Sequence, residues 1–450
     1  MKNMKFAVQL AVLLGLSVLC LDARAVPSFA RQTGLPCQQC HTVAPELTAF
    51  GRLFKLNGFT LSTLPKVEAP SSDPGNVPVE LNRMPPVAAE LDVADSISSK
   101  SQPGSLNGSA QFPSKFKIFF AGAVSDHIGI FNYFEYTQPD DHFSMDLTDV
   151  RITDSGQLWG SDAIYGITVN NAPTLEDPWN TLNVWSFPHV GSEVAPSPGA
   201  TTLLGGALAD SGLVAGAGGY ILWDSHWYGD LSLYRAAPTG AGQPLTPAGN
   251  LDGTVPYLRL AWQDNFGADY LEAGLSFMSA KYAQGVSGGG AAGLDDHYSD
   301  WSLDAQYEHP TGDNQLTLHG KYIHENQTLD SSSAAGLSNA SDSLKSLKLD
   351  GTYLIRGGHA GYALSLGYFT TTGSADPLLY APGAVSGFAA GKPDSDGWIL
   401  QGTYLPYANV QFTVQYTAYS KFNGASSNYD GSGRNASDNN TLFLLMMIDW

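Results

Sequence analysis

The sequence predicts a mainly β protein: an antiparallel transmembrane β-barrel of about sixteen strands, preceded by a small α-helical N-terminal segment. Three observations point there. Only 14% of the 450 residues are charged, against roughly 25% in an ordinary soluble domain. After the first 25 residues no apolar run approaches the ~20 residues a membrane helix needs, and mean hydropathy is only -0.11. Beyond the N-terminal segment the dominant period is two, with apolar residues alternating with small or polar ones, as in a strand with one face to lipid and one to a polar lumen.

The charge balance excludes one class of partner. With 22 Lys+Arg against 42 Asp+Glu and a net charge of -20, the chain lacks the basic face that nucleic acid requires.

Residues 1–25 read as an export signal. Lys2 and Lys5 form a basic start, Phe6 to Leu21 an apolar stretch, and Ala23-Arg24-Ala25 a small-x-small cleavage site. Cys20 follows Leu19 and has no Ser or Gly after it, which argues against lipidation. Removal of this segment leaves Cys37 and Cys40 as the only thiols.

Residues 26–66 form the next unit, centred on Cys37-Gln38-Gln39-Cys40-His41. C-x-x-C-H reads as covalent attachment of one haem c. Two thiols add to the vinyl groups and the adjacent imidazole of His41 becomes the proximal iron ligand. The spacing brings all three groups from one turn of backbone. A redox or disulfide C-x-x-C is the bland reading. A structural zinc site fits less well, since no second Cys/His pair lies nearby. Pro45 to Asn57 is a helix candidate, with Pro45 suited to the first position and Asn57-Gly58 to the end. Leu47, Phe50, Leu53 and Phe54 share its apolar face. Arg31, Arg52 and Lys55 are candidates to pair with haem propionates, or are solvated surface charge. Residues 26–66 hold no Met and no second His, so a distal iron ligand must come from elsewhere. Met84, just beyond the linker, is the candidate chosen, with a lumen His such as His319 or an open position as alternatives.

Residues 67–83 are rich in Pro, Ser, Asp and Asn and read as a linker; 84–450 form the barrel. Val410, Phe412, Val414 and Tyr416 alternate with Gln411, Thr413, Gln415 and Thr417; Tyr362, Leu364, Leu366 and Tyr368 with Gly361, Ala363, Ser365 and Gly367. Candidate strands centre near 91, 119, 132, 149, 166, 218, 231, 259, 273, 303, 320, 349, 365, 400, 413 and 445. Short connections alternate with long ones, which places the short turns on the periplasmic side. The longest connection, about 171–211, is a candidate to fold inward as a constriction. Met446 to Trp450 is an alternating last strand ending in an aromatic. Asp140-Asp141-His142 and Asp295-Asp296-His297 are matching triplets in outer loops, candidate weak sites for a divalent ion or else solvated acidic turns.

Ala30-Arg31-Gln32-Thr33-Gly34 before the motif, then Pro45-Glu46-Leu47, Phe50-Gly51-Arg52 and Phe54-Lys55, resemble the N-terminal segment of the monohaem outer-membrane cytochrome–porin fusions. Their best-known members are outer-membrane iron oxidases of iron-oxidising bacteria. The resemblance covers about residues 27–64; the barrel agrees in architecture only. It implies a haem segment plugging the barrel, with dissolved Fe(II) as electron donor and a periplasmic cytochrome or other carrier as acceptor. Cys37 and Cys40 would attach the haem, and His41 would ligate it. A diffusion porin with a structural or regulatory haem plug is the reading from another class. A peroxidase needs a distal acid–base pair that residues 26–66 do not supply.

Overall fold

The computed structural model describes residues 27–69, 79–82, 84–102, 107–108, 110–208, 213–237, 251–285, 289–357 and 360–450. The signal segment and the middle of the linker lie outside the described residues.

Sixteen strands close into one antiparallel barrel. They are β1 Val87–Ser98, β2 Gln111–Ala123, β3 Ile128–Thr137, β4 His142–Leu158, β5 Ser161–Asn170, β6 Val214–Trp223, β7 Trp227–Ala236 and β8 Val255–Phe266. They continue as β9 Asp269–Ala283, β10 Asp295–Thr311, β11 Asn314–Leu329, β12 Ser341–Gly357, β13 Ala360–Gly373, β14 Ser395–Tyr407, β15 Val410–Lys421 and β16 Thr441–Asp449. Every strand pairs with its sequence neighbours, and β16 closes on β1 from Thr441 opposite Ser98 to Asp449 opposite Glu90. All sixteen centres read from the alternation fall inside these strands. Closure leaves no unpaired edge, the condition for a sheet to cross lipid. The shortest strand has 9 residues and the longest 17, enough to span the hydrocarbon core at a tilt.

The alternation sorts the two faces. Val414, Tyr416, Leu364, Leu366 and Leu303 are exposed on the outside, while Gln411, Thr413, Gln415, Ser302 and Asp304 are buried in the lumen. The protein is therefore built as an integral outer-membrane barrel, with apolar side chains toward lipid and polar ones inward. Among the described residues no helix is long and apolar enough to cross a membrane.

The lumen is filled from both ends. At the short-turn end sits the N-terminal segment: α1 Pro27–Thr33, a 3-10 turn at Cys37–Gln39, and α2 Ala49–Leu56. Gln32 of α1 accepts a hydrogen bond from the Ala123 amide at the end of β2. Gly129 is also pressed close: a Cβ there would lie 1.8 Å from the Gly58 carbonyl oxygen. Residues 66–69 and 79–82, at the two ends of the linker, pair as a small hairpin.

From the long-loop end, the connection between β5 and β6 enters the barrel. Ala172, Leu175, Glu176, Asp177, Trp179 and Leu182 are buried. The loop crosses the lumen, donating from Leu203 and Leu204 amides to Glu325 and Asp300 on the β11 and β10 wall. The expected constriction is present.

The helix expected from Pro45 begins later, at Ala49. Thr48 caps it, its hydroxyl accepting from the Gly51 amide at 3.1 Å. Residues before it are spent on a turn, Glu46 N–H to Val43 carbonyl, and on a bridge between His41 and Leu47. A Ser/Thr cap outcompetes a Pro start because its oxygen satisfies an orphan amide. The end at Asn57-Gly58 is as expected, with Gly58 at φ 63.

The short-turn end is expected to face the periplasm and the long loops the outside. Tags inserted at Leu379 or Gly433 are expected to be labelled on intact cells, and tags at Gly267 or Gly312 only after the outer membrane is opened. Labelling of Gly312 on intact cells would reverse the orientation.

Candidate functional site

Between the N-terminal plug and the inward loop lies a cavity with an atom-free space of about 1360 Å³. Part of that space is open to solvent. Cys37, Cys40 and His41 all line it.

The motif is wound into a single turn, as the chemistry of three convergent groups requires. The Cys40 and His41 amides both donate to the Cys37 carbonyl, at 3.0 and 2.9 Å. The turn is pinned from behind by α2. The Cys40 carbonyl accepts from the Thr48 amide at 2.9 Å, and Gly51 lies against the same oxygen, with room for no side chain: a Cβ would sit 2.2 Å away. Cys37 is buried, Cys40 is half-buried, and no disulfide joins them. Burial, and then the neighbouring Cys37, push the Cys40 thiol up to about 11. As a thiol Cys40 is therefore not an activated nucleophile, which has a lowered value. Burial also lowers the pKa of His41, opposed by the backbone carbonyls of Glu46 and Pro45, so the imidazole is held neutral.

One wall is aromatic. Phe29 packs edge-on to Phe54 at 5.1 Å and stacks with Phe59 at 5.4 Å and Phe131 at 6.2 Å. Phe119, Leu175 and Trp185 extend it. Of the predicted helix stripe, Leu47 and Phe54 face the cavity while Leu53 is exposed.

The three basic candidates separate. Arg31 is exposed and donates to the Val87 carbonyl. Arg52 is buried and committed: it pairs with Glu308 at 2.6 Å, and its guanidinium lies 4.5 Å over the Tyr270 ring. Burial works against its charge, but Tyr270 and Glu308 outweigh it and hold the pKa above the usual value. Lys55 lines the cavity, and among the described residues its buried Nζ has no hydrogen-bond partner. Burial, reinforced by Arg151, pulls its pKa down to about 8. Asp149, Glu176 and Asp177 act against that lowering, and a buried ammonium with no hydrogen bond is costly, so an anionic group entering the cavity would find a donor there. Two thiols, an imidazole, an aromatic wall and a waiting ammonium are what could hold a planar, carboxylate-bearing cofactor.

The inward loop supplies the opposite wall and is held by buried ion pairs. Arg151 on β4 takes Asp149 at 2.8 Å and Glu176 at 3.1 Å. Arg259 on β8 takes Asp177 at 2.9 Å, Asp304 at 2.8 Å and Glu272 at 3.2 Å. Burial would raise the pKa of Asp177, but Arg259 and the Leu182 amide prevail and keep it below the usual carboxylate range. Asn180 of the loop donates to the Pro45 carbonyl at 3.1 Å, tying loop to plug.

The remaining sequence candidates are not brought to the cavity. Met84 is exposed just before β1. His319 is occupied on both nitrogens, by Asp350 at 2.9 Å and Gln306 at 3.2 Å, and lies 3.7 Å from Glu46. Asp140, Asp141 and His142 are exposed at the tight β3–β4 turn, where Asp140 and Asp141 accept from Thr137 and Tyr136. The second triplet splits because successive strand residues point to opposite faces. Asp296 is buried and caps α3 Asp330–Ala334 through the Ser331 and Ser332 amides, whereas His297 is exposed and bonded to Ser279. Among the described residues no group of three His, Cys, Asp or Glu is placed to hold a metal ion. His189, which the sequence reading passed over, does line the cavity.

No family profile matches the chain, and no curated protein does. Solved structures with similar barrels include OmpF of Salmonella typhi, at 12% identity over 81% of this chain and 97% of that one, TM-score 0.48. OprB of Pseudomonas putida gives 11%, 81%, 93% and 0.45, and an anion-selective porin from Comamonas acidovorans 12%, 81%, 98% and 0.44.

Gly51→Ala is expected to displace the Cys40 carbonyl, at about 1–3 kcal/mol for overpacking against backbone. Protease added to purified, folded protein should then cut within residues 27–64 and leave the barrel whole. Gly402→Ala, where a Cβ meets nothing within 4 Å, is the control and should behave as the parent.

Proposed function

We propose that the chain carries one covalent haem c inside an outer-membrane barrel and transfers electrons across that membrane, taking them from dissolved Fe(II) outside and delivering them to a periplasmic cytochrome or other carrier. The observation that carries the reading is the single cavity that both thiols, His41 and the unpartnered Lys55 share. A haem bound there would supply one-electron redox chemistry at its iron. Cys37 and Cys40 would tether it and His41 would ligate it. Lys55 would neutralise a propionate, and the Phe29, Phe54 and Phe131 wall would keep water from its face.

A small dissolved donor suits this geometry. The apolar belt of such a barrel is about 25 Å tall, so one redox centre inside it must be met by something that enters from the outer side. The acidic balance of the chain favours cations over anions at the mouth. The periplasmic carrier would meet the plug, which lies at the short-turn end. The filling of the lumen by plug and loop speaks for electron transfer over a wide diffusion pore.

Two measurements test the reading. Cys37→Ala and Cys40→Ala should each remove most haem-stained protein from a denaturing gel; unchanged staining in both would sink the haem. In liposomes with the long loops outward, external Fe(II) should reduce the oxidised protein. Reduction by an organic donor alone would leave the haem and barrel but reject iron.

The porin reading has its own test. Conductance of the parent in planar bilayers is expected to be low. It should rise several-fold when Glu176→Gln and Asp177→Asn together release the inward loop. A parent that already conducts like an open sixteen-stranded pore would favour diffusion instead.

A further inference from the structure

We infer that His189, carried into the barrel by the loop between β5 and β6, is the second axial ligand of the haem held by His41. The inference rests on the haem reading above and goes beyond it by assigning the distal side.

His189 lines the same cavity as Cys37, Cys40 and His41, and reaches it from the opposite wall, the loop rather than the plug. Its tautomer is set. Nδ1 lies 3.0 Å from the Trp185 carbonyl, and a carbonyl can only accept, so Nδ1 carries the hydrogen. That leaves the Nε2 lone pair, which takes no hydrogen bond among the described residues. A ring nitrogen donating to backbone carbonyl while the other is left for a metal is the usual arrangement of a ligating His.

The residue is also rigidly placed. On one side, Phe187 packs edge-on to the imidazole at 5.9 Å and is itself seated against β13, where a Cβ on Gly367 would lie 2.7 Å from its ring. On the other, the Val190 carbonyl accepts from Gln415 of β15 at 2.8 Å. Ser186 accepts from Lys321 of β11 at 3.3 Å. Three wall strands thus hold residues 186, 187 and 190, on both sides of His189.

The rivals are weaker on the same grounds. Met84 is exposed and away from the cavity, and His319 is bonded at both nitrogens. Met447 on β16 does line the cavity, and is the alternative that the test must separate. An imidazole and a thioether give different iron: a Met ligand raises the potential and leaves a sulfur-to-iron charge-transfer band in the oxidised spectrum.

The test uses full-length protein, folded in detergent, with haem content measured as the pyridine haemochrome. Oxidised parent should give the electron-paramagnetic-resonance and optical spectra of low-spin iron with two imidazoles and no sulfur band. His189→Ala should keep its haem but become high-spin or water-ligated, with a shifted midpoint potential. Added imidazole should restore the low-spin spectrum. His189→Gln, whose amide still reaches the Trp185 carbonyl, should lose the same spectrum while preserving the fold. Met447→Leu should match the parent. A high-spin parent, a sulfur band in the parent, or a His189→Ala spectrum like the parent's at full haem content would each overturn the assignment. Absence of covalent haem in the parent would instead overturn the haem reading itself, and the assignment with it.

Discussion

Two guanidinium groups, Arg151 and Arg259, are fully buried in the lumen wall, and each needs more than one carboxylate to be there. Arg151 takes one partner from the barrel and one from the loop between β5 and β6, and Arg259 takes two from the barrel and one from that loop. The strand carboxylates Asp149, Asp304 and Glu272 are fixed by the sheet. Glu176 and Asp177 are not, and complete the charge balance only when the loop is folded inward. Removing one partner of such a pair leaves a buried charge at about 3–5 kcal/mol, so the inward position of the loop is strongly specified. Other features of the lumen then follow. Trp179 packs with Leu56 of the plug, Asn180 bonds the plug backbone, and Leu175, Trp185 and His189 become a wall of the cavity.

The barrel was legible because its determinants are local and repeated. Alternation along Val410–Tyr416 or Tyr362–Tyr368 needs no knowledge of the partner strand, and sixteen such stretches each register the same two environments. The C-x-x-C-H turn was legible for a similar reason: its three groups sit within five residues. The far wall of the cavity was not. Met84 was chosen for being near in sequence, yet the linker hairpin and the start of β1 carry it to the exposed rim. His189 lies 148 residues from His41 in the chain and meets the cavity only because the loop turns inward. One signal was present, an apolar Trp-Ser-Phe-Pro-His run at 185–189 inside a supposed outer loop, which a solvated loop has no reason to keep.

The second acidic triplet shows the opposite case, a pattern in sequence that the strand geometry pulls apart. Asp295, Asp296 and His297 are adjacent, but β10 sends Asp296 inward and His297 outward, and the Asp296 oxygens are spent on α3. Three consecutive residues of a strand cannot converge on one ion, whereas three residues of a tight turn, as at Cys37–His41, can. The same residue types thus carry different weight according to the backbone beneath them.

Filling the lumen and moving electrons are compatible in a way that filling it and moving solutes are not. A diffusing solute needs continuous width, so every side chain that Arg151 and Arg259 draw inward counts against it. An electron needs only a short gap between donor and acceptor orbitals, and packed protein serves. In the proposed role, the loop that obstructs the pore would also shorten the path. It brings its own aromatic and imidazole groups, Trp185 and His189, from the long-loop end to the cavity that the plug approaches from the short-turn end. A barrel closed in this manner would let charge cross the outer membrane while small molecules do not. The buried ion pairs that set the loop would then be as much a part of the electron path as the motif at Cys37–His41.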